Sequence, residues 1–243
     1  MLKLIHADLY KSFHRIYLYV FMAVMGGVTI LYNCIYASQG APRETAFHFT
    51  LLLLGYPLYF VVMFVDIILA EENKEHTLKN TISFGVSRTK LFFAKNISAI
   101  IVTIVVAAVT VVVFYVSGLI ALKAATGYTT AFLTDLGSKI GVALLVYVAA
   151  IVMGTFLATV IKRNGLFIFA YFGALIVPPL VFKLLSLANS AFGKVQNVML
   201  MSQTDILMQA TSAQMVNVVW VALAHIAVFA ILGIILGRKQ EIN

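Results

Sequence analysis

Apolar and polar positions along this chain fall in long blocks rather than in short alternations. Six apolar runs, at about 16–37, 49–70, 97–121, 139–161, 165–186 and 217–237, are separated by polar intervals. Each run is long enough to cross a hydrocarbon core of about 30 Å at about 1.5 Å per residue. Barrel strands would be shorter and would alternate in polarity, so the pattern predicts an all-α membrane protein with six transmembrane helices. Ahead of the first run, Leu2, Ile5, Leu9, Phe13 and Ile16 recur at helical spacing, with Lys3, Asp8, Lys11, His14 and Arg15 on the other side. That reads as an amphipathic helix over 2–15 lying in the membrane interface, with Leu4 departing from the pattern. No repeat, low-complexity tract or composition shift divides the chain, so residues 1–243 read as one transmembrane domain.

Composition agrees with the blocks. The chain is 62% apolar and 11% charged, with a mean hydropathy of +1.01, whereas soluble domains are about a quarter charged. The first run is too long for the apolar part of a cleaved signal. The net charge of +8 is carried beside apolar runs, where it serves orientation and attraction to anionic lipid rather than nucleic acid. With the amino terminus inside, twelve Lys and Arg fall on the cytoplasmic side and five on the other. The positive-inside rule therefore puts both termini in the cytoplasm. The lone Cys34 can form no intrachain disulfide and no cysteine-based metal cage.

Catalytic signatures are absent. The sequence holds no G-x-x-x-x-G-K-[ST], no H-E-x-x-H and no G-x-S-x-G, so no catalytic residue, bound cofactor or metal is expected on this chain. Asp66 is the one ionisable residue that stands deep enough to act as a proton or cation site; an interfacial carboxylate paired with a nearby base fits it as well. Gly26 and Gly27 read as a close-packing site between helices. Pro178 and Pro179 should kink or break the fifth run, because each removes a helix hydrogen bond. The interval 187–217 reads as short helices half dipping into the outer leaflet, followed by Trp220 as an interfacial anchor.

The densest charge between two runs lies at 71–95, with five Lys or Arg and three Glu. Glu75 and Lys79 are spaced for an i,i+4 pair, and Leu78 and Ile82 share a face, so a short amphipathic helix from about 72 to 82 is expected. Ser83, Phe84 and Gly85 end it, and Ser87 is placed to cap the next helix. By spacing alone, a docking helix for a soluble partner and a solvated basic loop fit equally.

The pattern E-x-x-x-x-T-L-K-N-x-I-S-x-x-V-S-R-x-K-x-x-x-x-K, from Glu72 to Lys95, resembles the signature loop of bacterial ABC type-2 permeases. More narrowly it is similar to the six-span subunits of bacitracin-resistance, lantibiotic-immunity and peptide-toxin exporters. His76 stands where those proteins usually have Gly, and Gly85 where Pro is frequent. The resemblance implies that 71–95 carries a coupling helix that docks on a separate ATPase. Glu72, Glu75, Leu78, Lys79, Ile82, Ser83 and Phe84 would then face the ATPase, and Val86, Ser87 and Arg88 would pass motion into the third span. It further implies two ATPase subunits holding ATP and magnesium, a second permease chain, identical or related, and a place in the bacterial plasma membrane. The scarcity of charge favours an amphipathic peptide, hydrophobic antibiotic or lipid as cargo. An ion-coupled transporter using Asp66 and a non-transporting scaffold or sensor are the rival readings.

Overall fold

The computed structural model describes residues 1–70, 85–161 and 163–239. Regular structure among them is helical: α1 (Leu2–Phe13), α2 (Ile16–Ser38), α3 (Arg43–Phe49), α4 (Pro57–Val65), α5 (Arg88–Ala121), α6 (Thr130–Val160), α7 (Asn164–Ser186), α8 (Ala191–Gln196), α9 (Leu200–Met208) and α10 (Ser212–Lys239). Five of them, α2, α5, α6, α7 and α10, are long and apolar enough to cross a membrane.

The second apolar run, read from the sequence as one span, is not one continuous helix. After α3 the chain tightens into a 3-10 turn (Thr50–Leu53), starts again as α4 and ends in a π-helical turn (Asp66–Ala70). Pro57 is the physical reason. It has no N–H and its ring crowds the preceding turn, so it favours the first turn of a new helix, where it stands in α4. Broken backbone within an apolar body needs new partners for its carbonyls. Two buried tyrosines supply them: the Tyr147 hydroxyl donates to the Leu54 carbonyl at 2.8 Å and that of Tyr171 to the Leu58 carbonyl at 2.6 Å.

The centre of the molecule is α6, which packs along α10 and also against α4, α9, α7 and α5. Ala143, Val146, Ala149, Ala150 and Met153 of α6 are buried, as are Leu58, Val61 and Val65 of α4. Gly154 lets α4 approach, because a Cβ there would lie 3.2 Å from the Val65 Cγ2. On the other flank α2 lies along α5. Asn33, fully buried, ties the two by donating to the Phe114 carbonyl and the Ser117 hydroxyl, both at 2.8 Å.

At one end of the bundle α3 is tucked under the close of α5. Phe47 is fully buried between the rings of Tyr115 and Phe114, at 4.8 and 5.2 Å. The Arg43 guanidinium donates to the Leu119 and Leu122 carbonyls at 2.9 and 2.8 Å, a cation placed on the negative end of a helix. The segment 187–217 holds short helices, as its sequence predicts. The six-residue α8 has no buried residue, but α9 inserts among α6, α7 and α10 and buries Leu200, Ser202, Gln203, Thr204 and Leu207. Trp220 stands 67% exposed on α10. The two prolines do not break α7, which runs helical through Pro178 and Pro179 to Ser186.

Candidate coupling site

Of the residues that the sequence puts forward for docking, Glu72, Glu75, Leu78, Lys79, Ile82, Ser83 and Phe84 lie outside the described residues. The description resumes where the charged segment enters α5. Gly85 has φ +84°, a left-handed conformation that glycine adopts without steric cost. Val86 is half-buried and Ser87 exposed. Ser87 caps α5, its hydroxyl accepting from the Lys90 N–H at 3.4 Å.

Arg88, the first residue of α5, reaches a different helix. Its guanidinium donates to the Gly237 carbonyl near the end of α10 at 3.2 Å, where the helix dipole favours positive charge. One turn further along, the two helices come very close. A Cβ on Gly233 would lie 2.5 Å from the Phe92 ring, so only glycine admits that ring. The entry of α5 is therefore joined to α10 by an arginine and by an aromatic ring set over a glycine.

Another turn along, Lys95 and Asp8 form an ion pair at 2.7 Å with both side chains buried, at 3% and 7% exposure. The Ser98 hydroxyl lies 3.2 Å from the other Asp8 oxygen and 2.9 Å from the Ala94 carbonyl, and its one proton serves either acceptor. This network corrects one expectation, that Asp8 stands on the outward polar side of α1. Asp8 belongs to the buried side with Ser12. Lys95 is its buried partner on α5. That side of α1 packs on α5 and on the π-helical turn. The signal was present in the sequence: Leu4, Asp8 and Ser12 share one helical stripe, and Lys95 and Ser98 another.

Asp66 opens the π-helical turn and is half-buried; that turn packs against α1, α5 and α6. The structure thus gathers Asp66, Asp8, Lys95 and Arg88 at one end of the bundle. Pro178 and Pro179 stand apart from them in α7. Among the described residues no group of three His, Cys, Asp or Glu could hold a metal.

What this geometry defines is a helical membrane body in which the end of the charged segment runs into α5 and is anchored to α1 and α10. Residues 4–172 match the ABC-2 family transporter protein family, and the chain belongs to that family. It is thus a membrane permease component of an ABC transporter, the part that is not the ATPase. None of the curated proteins compared with it matches.

Proposed function

We propose that the chain is the permease half of an ATP-driven exporter, with 71–95 as the grip for its ATPase. The observation that carries this reading is the anchoring of the segment's far end. Arg88 on Gly237, Phe92 over Gly233 and Lys95 on Asp8 give a push at 71–84 three routes into the helical body. Glu72, Glu75, Leu78, Lys79, Ile82, Ser83 and Phe84 would meet the ATPase, and Val86, Ser87 and Arg88 would carry its closure into α5. Two ATPase subunits, holding ATP and magnesium, would serve a pair of such permeases in a bacterial plasma membrane with both termini inside. An apolar body with few charges suits an amphipathic peptide, a hydrophobic antibiotic or a lipid as cargo. Similarity of the 72–95 pattern to bacitracin-resistance and lantibiotic-immunity subunits supports a peptide or antibiotic.

The test is a pull-down in gentle detergent, with the bound soluble subunit identified by mass. Ile82→Asp combined with Phe84→Asp should abolish recovery of the ATPase while membrane insertion is kept. Recovery at wild-type yield would sink the docking assignment. Transport that persists without any ATPase and collapses in Asp66→Asn would instead establish the ion-coupled reading.

A further inference from the structure

A cavity of about 240 Å³ opens beside the two prolines of α7, lined by Met153, Ala174, Leu175, Pro178, Met199 and His225 among others. It lies between α6, α7 and α10, away from the charged end of the bundle, and Ala174 on its rim is exposed. Its walls are apolar but not featureless. Proline has no N–H, so Pro178 leaves the Ala174 carbonyl, and Pro179 the Leu175 carbonyl, without the donor that an unbroken helix supplies. Both of those residues line the cavity. His225 adds a third acceptor. Its Nδ1 lies 2.8 Å from the Val221 carbonyl; a carbonyl only accepts, so Nδ1 carries the proton, and in the neutral ring Nε2 keeps its lone pair.

We infer that this cavity binds a small apolar molecule, or the apolar end of a larger one, that carries an N–H or O–H donor. The walls offer dispersion contacts and exclusion from water, and the acceptors that their residues carry would let a donor on the ligand fix its orientation. The volume is just under the roughly 300 Å³ at which drug-sized pockets begin, which suits one or two rings or a short chain. Pro178 and Pro179 then have a role besides helix shape: they create acceptors within an apolar wall. The inference adds to the permease reading a resting place for cargo within one chain. Its test reads binding rather than transport, so the two can fail separately.

The probe is 4-hydroxybenzophenone, an apolar two-ring molecule with one O–H donor, and benzophenone serves as the analogue without it. On irradiation the excited ketone takes a hydrogen atom from a C–H beside methionine sulfur, and the two carbon radicals join, leaving an alcohol. Purified protein in detergent is labelled with each probe and mapped by mass spectrometry. Met153 and Met199 report the cavity; Met63, 43% exposed on α4, reports partitioning into the surrounding detergent. Relative to Met63, the cavity methionines should label at least tenfold more with 4-hydroxybenzophenone, and at least fivefold less with benzophenone than with its hydroxyl form. Ala174→Phe, which fills the rim, should remove the excess while labelling at Met63 and elution on size exclusion are kept. If that variant does not fold, Ala174→Leu takes its place. Labelling at Met153 and Met199 no greater than at Met63, or unchanged by the filling variant, overturns the site. Equal labelling by the two probes overturns the donor requirement.

Discussion

Replacing Lys95 by Met offers the sharpest trial of the architecture. Lys95 is 3% exposed and its Nζ lies 2.7 Å from the carboxylate of Asp8, itself 7% exposed. Removing the ammonium takes from Asp8, in a nearly dry site, a charge that the Ser98 hydroxyl at 3.2 Å does not replace. Breaking a buried pair from one side costs about 3–5 kcal/mol, because an uncompensated charge remains; replacing both partners by apolar side chains is often close to neutral. Lys95→Met and Asp8→Leu should therefore each lose about 3–5 kcal/mol, whereas the double variant should lose less than either. The assay is reversible unfolding of the detergent-solubilised protein by SDS titration, with proteolytic release of α1 as a second readout. In the single variants α1 should become accessible to protease, and in the double it should be protected again. The reasoning is refuted if each single change costs under about 1 kcal/mol, or if the two losses add to within about 0.5 kcal/mol, as independent sites do.

Two further outcomes follow from close contacts. A Cβ on Gly118 would meet the Phe47 ring, with Cζ only 2.9 Å away. Gly118→Ala should thus destabilise by about 1–3 kcal/mol through overpacking, and Phe47→Leu should recover much of that loss in the same unfolding assay. Tyr147→Phe should cost about 1–3 kcal/mol by orphaning the Leu54 carbonyl at the helix break. Tyr171→Phe should cost less, because Leu58 lies within α4, whose ladder supplies another donor.

Long elements were legible in the sequence wherever hydrophobicity alone decided them. The runs at 16–37 and 165–186 coincide with α2 and α7 to within a residue. Local capping chemistry was equally readable: Gly85 turns and Ser87 caps where their residue types require. The failures share a cause. Hydropathy sees neighbours along the chain, whereas tertiary partners decide the rest. Pro57 opens a new helix inside the second run, and Tyr147 from across the bundle satisfies the Leu54 carbonyl at the break. Asp8 and Lys95 are charges by composition and core residues by pairing. Asn33, an unremarked polar residue in the first run, proved to be a clamp between α2 and α5. The helix runs on through Pro178 and Pro179 without a break, and beside it is open space.

Two arginines hold the longest helix from opposite ends. At 34 residues α5 measures about 50 Å, well beyond the roughly 30 Å of a hydrocarbon core. Arg88 fastens its beginning to the tail of α10, and Arg43 fastens its close to α3. A rod pinned at both tips cannot slide alone. Any displacement applied at residue 88 must either drag the last helix with it or lever the α3 hook at the helix's other end, so a local nudge becomes a movement of the whole.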